Sequence, residues 1–571
     1  MWVCAASGAV SLVVFFPMVR NCVIDFGERY IGSLVERSAW NELIVFYEIA
    51  FLCVNAVLVG VFYFCGFKKE CFFREHTDIA VYIFAFACSV LFVLCFSSST
   101  SPFYPYCFGE DTAQFLTIGK AWWLGKIPYR DMFDHKGPVV FFADMLGFAL
   151  AGSKSGVCLL QIVGLFFTLL GVFKIAWLAC KNTAYGLCMM VVAVMVIRNN
   201  YIDGNLVEEW CLPFIVWSTY ALVRYFNDGA DEHPPRQAFL YGITASICFM
   251  TRVTNFAFVG AGCLTVSVCL LRKRAVRNLL DNAVCFLLGF FVLFLPFALY
   301  FYGKQCFRAF IDGTLFYNIE YAKGMESWLA HVNLKSIVVF SKAFFAYCML
   351  FPAAFLCARR NKKLAAFYAF AALLESCIFL TGANWGQYAL VCFCQIVLLL
   401  NEISYIPLKT NNVNKFVTFG LILCVGLFLQ SIIVRNILPM MHTYNKYSKH
   451  IERSYESLIR VVPEQELASF VACGGNQYKE LYLLTDILPC YRYFVIQPWH
   501  SLFSERIRKD ILHTFESGNA QWLLADTDGK ALIADILSSR YDLVAENAGG
   551  GIYHLRKSAE LPELTQNLRT N

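Results

Sequence analysis

The chain is short of charge. Only 15% of its 571 residues are Asp, Glu, Lys or Arg, where soluble domains carry about a quarter. With 58% hydrophobic residues and a mean hydropathy of +0.56, a water-soluble enzyme is excluded and lipid must solvate most of the mass. The 25 cysteines offer no CxxC pair and no Cys/His cluster at zinc-site spacing. Most of them, such as Cys158, Cys180, Cys248, Cys285, Cys392 and Cys394, fall in apolar segments, where cysteine behaves as a small hydrophobe. Residues 1–19 lack a basic start and a small-residue cleavage site, so a removable signal peptide is not expected. No solenoid-period repeat and no low-complexity tract is present. A net charge of +6 is small for a chain of this length, and no nucleic-acid partner is expected.

What the chain does have is a series of apolar runs long enough to cross ~30 Å of hydrocarbon. They predict spans near 42–65, 79–98, 157–180, 184–198, 209–226, 238–253, 255–271, 280–302, 336–357, 364–381, 386–401 and 415–436, with residues 3–19 a weaker extra segment. The fold class expected is a mostly α, polytopic helical membrane protein. About 11 core helices would follow one or two N-terminal ones, with a small α/β domain outside. The boundaries read as 1–78 for the extra N-terminal segments, 79–439 for the core with its loop 99–156, and 440–571 for the outer domain and tail. Lys and Arg concentrate in LRKRAVR (271–277), ARRNKK (358–363), Lys68, Lys69, Arg74, Lys181, Lys409 and Lys415. Alternating the spans puts all of these on one side, which the positive-inside rule makes cytoplasmic. Residues 138–152 are read as an interfacial helix, since counting them as a span would invert every later loop.

Beyond Met440, ELYLL (480–484), YFVI (493–496) and QWLLA (521–525) read as β-runs between helix-like stretches such as SERIRKDILHTF. GGGIYHL reads as a turn into an edge strand. Cys473 and Cys490 lie here and could pair in an oxidising compartment, which the sequence leaves open.

Against this background the polar run from Glu110 to Pro138 stands out. It holds Glu110, Asp111, Asp131 and Asp134 with Arg130, His135 and Lys136 at one membrane surface. Asp111 follows its span closely enough to serve as general base at the boundary, toward a hydroxyl or amine within hydrogen-bond reach. One base suffices if the leaving group is a polyprenyl phosphate, which departs as a stable anion. Glycosidases expel alkoxides and need a second carboxyl. Cations should face that leaving group. On the outward side these are scarce: Arg130, Lys136, Arg198, Arg252, Lys304 and Arg308, with Lys136 first and Arg252 second among the candidates. Plainer roles weigh nearly as much. Asp131 serves equally as a turn closer, and Lys136-Gly137-Pro138 as the start of an interfacial helix with a snorkelling lysine. Glu208 and Glu209 read more readily as a solvated loop, Trp122-Trp123 as an interfacial anchor, and Tyr317, Asn318 and Tyr321 as structural.

In these residues the chain resembles the polytopic type C glycosyltransferases that use lipid-linked sugars, especially the family of protein O-mannosyltransferases and the bacterial aminoarabinose transferase of lipid A. The resemblance rests on Asp111, GKAWWLGK, Pro128-Tyr129-Arg130-Asp131 and Asp134-His135-Lys136-Gly137-Pro138 in that order. TRVTN, a later polar loop and an outer tail domain add weakly to it over residues 79–557. The DHKGP form is most like bacterial members.

The resemblance implies a hexosyl- or pentosyltransferase of the cell membrane, inverting, with its site and tail domain outside. Its donor would be a polyprenyl-phosphate sugar and its acceptor a glycan, lipid or protein. Asp111 would be the base, with Glu110 or a glutamate of the second outer loop (Glu208, Glu209) assisting acceptor or metal. Lys136, Arg252 and Arg130 would hold donor phosphate, and Asp131, Asp134, His135 and Tyr388 would line the substrate. A divalent ion held by carboxylates stays open, with no complete ligand set visible. The acidic pair departs from the family pattern, since Glu110 precedes Asp111 and Thr112 follows. Gln387-Tyr388 stands where the family often has His-Tyr. The rival readings are a flippase or transporter, or a polymerase, of lipid-linked glycans. A transporter would place ionisable groups near the midplane, where these spans have few.

Overall fold

A computed structural model describes residues 77–324, 347–381, 386–405, 446–447 and 449–556. The protein is mostly helical, with a small mixed sheet near its C-terminus. Among the described residues, six helices are long and apolar enough to span a membrane: Ile79–Phe96, Ser155–Cys180, Thr183–Asn200, Val253–Arg272, Val276–Gly303 and Gly386–Ser404. They mark an integral, multi-pass membrane protein. The remaining expected spans are shorter or only partly described. Residues 209–226 give Leu212–Asp228, 238–253 give Pro235–Phe249, and 364–381 give Lys362–Thr381, while 336–357 is described from 347 onward. Residues 3–19, 42–65 and 415–436 lie outside the described residues. Pro138–Ala151 is a helix of 14 residues, about 21 Å at 1.5 Å per residue and too short to cross.

The helices pack through an apolar interior that includes Leu169, Val192, Val216, Ala261 and Leu398. Backbones approach closely where side chains vanish. Helices Pro235–Phe249 and Val276–Gly303 meet at Gly242 and Gly289, where a Cβ would collide with the carbonyls of Phe286 and Phe239 respectively. Small residues drive such contacts in lipid, because no hydrophobic force distinguishes a neighbouring helix from an acyl chain.

The bundle has two polar ends. At one, Lys273 pairs with Asp231, Arg360 with the buried Glu402 at 2.6 Å, and Asn361 donates to the Phe226 carbonyl at 2.7 Å. Among the described residues, the basic loops 271–277 and 358–363 therefore share an end, as their alternation requires; Lys68, Lys69, Arg74, Lys409 and Lys415 lie outside the described residues. At the other end, Ser98 donates to Asp203 at 3.0 Å, Trp122 to the Tyr300 hydroxyl at 2.8 Å, and the Val139 amide to the Met250 carbonyl at 3.4 Å. This is the site end. Trp122 is thus buried packing, and only Trp123 is exposed.

The C-terminal domain packs on the site end. Its strands are β1 (Phe470–Cys473), β2 (Trp522–Ala525), β3 (Tyr541–Asn547) and β4 (Gly550–Leu555), in sheet order β1-β2-β4-β3. β1 and β2 run parallel, and β4 is antiparallel to both neighbours. Residues 521–525 and 505–517 thus form the expected strand and helix. Three expectations fail. Leu481–Leu484 is a helical turn, residues 493–496 form no strand, and the GGGIYHL strand is interior rather than edge. Short apolar runs fit either state, and the pairing that decides between them is non-local. Cys473 and Cys490 are unpaired thiols. Tyr455, Leu481, Tyr482 and Phe494 share one apolar cluster with Phe115, Trp122, Tyr129 and Phe301, so the domain is docked by buried surface.

Gly289→Val should overpack the helix seam, at a cost of about 1–3 kcal/mol. Thermal unfolding in detergent should show a lowered midpoint for this variant and none for Gly303→Ala, whose Cβ meets open space.

Candidate functional site

Asp111 is the first residue of the helix Asp111–Trp123, a position where the helix dipole favours a carboxylate. Thr112 ties this helix start to the Gly204 carbonyl at 2.8 Å. The Asp111 carboxylate accepts from Lys479 Nζ at 2.9 Å, and the lysine is itself buried. Burial pushes the Asp111 carboxyl up, but Lys479 and Lys136 outweigh it and hold the group below the usual carboxylate range.

Lys136 reaches this neighbourhood through backbone constraints. Tyr129 adopts a left-handed backbone (φ 66) in the turn that precedes it, a strained state for an aromatic residue. Its ring is fully buried against Phe141, Phe301 and Phe310, and its hydroxyl donates to the Lys136 carbonyl at 2.7 Å. The Lys136 amide donates to Asp134 at 2.9 Å. Gly137 then passes so close to Met250 that a Cβ would strike its carbonyl and Cα. Only glycine lets the DHKGP loop lie against MTRVTN, and this brings Lys136 toward Arg252.

Arg252 sits 3.0 Å over the Tyr388 ring centroid, within cation–π range, and 3.5 Å from the buried Glu208 carboxylate. Burial pushes the Glu208 carboxyl up and Asp111 adds to this, while Arg252 and Lys136 pull it down. Asp111, Lys136, Glu208, Arg252, Tyr388 and Lys479 thus form one electrostatic neighbourhood.

His135 packs among Tyr317, Tyr321, Trp499 and His500, and its Nε2 accepts from Lys136 Nζ at 2.8 Å. Burial first, then Lys136, pushes its pKa well down, keeping the ring neutral as that bond requires. Burial, with Lys479 and Lys136, pushes His500 to about 3. Asp134 is driven up to about 6 by burial, with Lys136 opposing. Asn318 donates to the His135 carbonyl at 2.6 Å, a structural role as expected, and Tyr317 packs against both histidines.

Other predicted residues stand apart. Arg130 and Asp131 bind each other at 2.8 and 2.9 Å, and Asp131 accepts the Ile127 amide at 2.8 Å, closing the turn. Glu110 is exposed and faces a separate cavity. The solvated reading of Glu208 and Glu209 is overturned. Glu208 is 1% exposed. Glu209 turns inward to accept from Tyr201 at 2.7 Å and Gln161 at 2.9 Å, and burial raises it to about 7.

Sequence reasoning missed Lys479 and His500, which the C-terminal domain supplies, and the buried Glu375, which accepts from Gln395 at 2.5 Å. Lys479 adjoins a run read as a strand, and that reading hid it. Among the described residues no group of three or more His, Cys, Asp or Glu is placed to hold a metal ion.

The raised pKa of Asp134 means that its contribution to stability is complete below about pH 4 and disappears as pH rises through about 6. Asp134→Asn keeps the acceptor for the Lys136 amide and removes the titration. Its thermal midpoint relative to the unaltered protein should therefore climb between pH 4 and 7 and level off above. A difference independent of pH would refute the buried carboxylate's role.

A family model described as the putative competence-induced protein Ccs4 N-terminal domain matches residues 73–415. No curated protein matches the chain. Solved structures similar to it include ArnT from Cupriavidus metallidurans bound to undecaprenyl phosphate, at 11% identity and TM-score 0.46, covering 85% of this chain and 99% of that one. Another is the archaeal oligosaccharyltransferase AglB from Archaeoglobus fulgidus in complex with an inhibitory peptide and a dolichol-phosphate, at 12% identity and TM-score 0.43, covering 86% and 76%. Likenesses this distant carry no argument about reaction or ligand. The family match spans well over half of the sequence, and by it the chain belongs to the family of the putative competence-induced protein Ccs4, through that family's N-terminal domain.

Proposed function

We propose that this protein is a membrane glycosyltransferase that moves a sugar from a polyprenyl-phosphate donor to an acceptor at the site end, with inversion. The observation that carries the reading is one carboxylate, Asp111, held ionised among Lys136, Lys479 and the Arg252–Glu208 pair at the mouth of an apolar bundle. The motif order from Asp111 to Pro138 supports it independently.

The step balances simply. An acceptor hydroxyl oxygen attacks the anomeric carbon of the donor sugar and forms the new glycosidic bond. The bond from that carbon to the phosphate oxygen breaks, and its electron pair leaves with the polyprenyl phosphate. The hydroxyl proton passes to Asp111. Lys136 and Arg252 meet the charge that gathers on the leaving phosphate, which is where fixed cations lower a barrier most. Tyr388 holds the Arg252 guanidinium flat and so aims it. The neutral His135 ring fixes the Lys136 ammonium. Arg130 is paired with Asp131 at 2.8 Å and is not needed in this reading. Asp111 rather than Glu110 is taken as the base because Asp111 bonds Lys479 directly, whereas Glu110 is exposed on the wall of the adjoining cavity.

Mass spectrometry of lipid-linked sugars and envelope glycans, with and without the protein, tests the activity: accumulated donor and a missing glycan are expected in its absence. Asp111→Asn should lower transfer by roughly 10²–10⁴-fold while undecaprenyl phosphate binding by the purified protein persists. Lys136→Ala should weaken that binding instead. Lys479→Ala removes a cation that depresses Asp111, so the acid limb of the rate profile should move to higher pH. A limb that stays put would mean a different group is the base.

A further inference from the structure

A cavity of about 540 Å³ opens between the site end and the C-terminal domain. This lies within the ~300–1,000 Å³ range of small-molecule sites. It shares one wall with the cluster just described, because Lys479 lines it while bonding Asp111. Its chemistry differs from that cluster. Among the described residues lining it, three cations (Lys446, Arg453, Lys479) are matched by three carboxylates (Glu110, Asp203, Glu480).

Several of these charges are also answered locally. Arg453 pairs with Glu480 at 3.0 Å, Lys479 with Asp111, and Asp203 accepts from Ser98 at 3.0 Å. Such a lining offers many oriented donors and acceptors but no net field for an anion. Asn476 adds a carboxamide and Gln477 a second whose NH2 donates to Asp526 at 3.0 Å, while Tyr447, with Lys446 over one face at 4.7 Å, and Tyr455 add aromatic rings.

We infer that this cavity binds a neutral, hydroxyl-rich saccharide, and that Asn476, Gln477 and Tyr447 select it. Hydroxyl groups both donate and accept, so they match paired charges and carboxamides without leaving any group unsatisfied. A sugar's apolar face suits a tyrosine ring. A phosphate or a uronic acid would have to break the Arg453–Glu480 pair and bury beside Glu110 and Asp203. That the bound saccharide is the acceptor rests on the transferase reading. That it binds here does not.

Lys479 lines the cavity and bonds Asp111 at 2.9 Å, and Glu110, the residue before Asp111, lines it too, so a saccharide held there would lie one side chain from that carboxylate. The C-terminal domain would contribute the specificity and the transmembrane bundle the chemistry.

Saturation-transfer NMR on the full-length protein in lipid nanodiscs tests this, with chitobiose, lactose and cellobiose as neutral probes and a glucuronic-acid disaccharide as the acidic one. Undecaprenyl phosphate binding is measured on the same samples. Saturation transfer to at least one neutral disaccharide is expected, weakened tenfold or more by both Asn476→Trp, which fills the cavity, and Tyr447→Ala, with undecaprenyl phosphate binding retained. Absence of a neutral signal, a signal indifferent to both variants, or a signal from the acidic disaccharide alone would overturn the inference. Those results, with undecaprenyl phosphate still bound, would leave the transferase reading intact. Saccharide binding without any undecaprenyl phosphate binding would do the reverse.

Discussion

The pair that the site end depends on is Asp111 with Lys479, groups separated by 368 residues in sequence and 2.9 Å in space. Lys479 is buried and would be costly alone, while Asp111 is half exposed and supplies its counter-charge. A buried ammonium without a partner pays the full desolvation penalty, and removing one member of such a pair strands the other. Docking of the C-terminal domain and the charge state of Asp111 are therefore a single constraint. The domain cannot lift away without exposing Tyr455, Leu481 and Phe494 and without releasing the carboxylate from its strongest cation.

Backbone geometry comes before these charges. Lys136 and Arg252 belong to loops that approach because Gly137 has no side chain to hold them apart, and because Tyr129 accepts a left-handed backbone to deliver its hydroxyl to the Lys136 carbonyl. Strain of about 1–3 kcal/mol at such a residue persists only where packing over-determines it. Three aromatic neighbours around a fully buried ring supply that packing. Sequence segments with no obvious kinship, PYRD, DHKGP and MTRVTN, are thereby made into one wall.

Much of this was legible because charge is rare in the chain. In a bundle of apolar helices, any lysine or carboxylate near a span's end has few places to go, and Asp111, Lys136 and Arg252 could be named from position alone. Position alone does not show which partners the fold supplies. Arg130 has a bidentate partner in the adjacent Asp131. Glu209 differs from Glu208 by one residue, yet Gln161 and Tyr201, on other elements, draw it inward. Nothing in the local sequence announces those partners. The C-terminal strands were partly missed for the same reason, since four apolar residues commit to strand or helix only when a neighbour pairs with them.

Glu375 tests the transporter reading most directly, because an ionisable group buried in a span is by default functional. Here its carboxylate is answered by Gln395 and lies beside Cys392. Toward the basic end the buried interior includes Val172, Ala371, Leu398 and Leu399, and the polar Asn401 there is answered by Tyr185 and the Ile175 carbonyl. A carrier must move its cargo's charge through that region, at a cost of several kcal/mol for each unsatisfied polar group. Group transfer has no such demand. The lipid phosphate is already at the boundary, the acceptor comes from water, and the cations that stabilise the departing phosphate stand where that phosphate begins. The gathering of Lys136, Arg252 and Lys479 at one end of a bundle with an apolar interior therefore favours chemistry at the surface over passage through it.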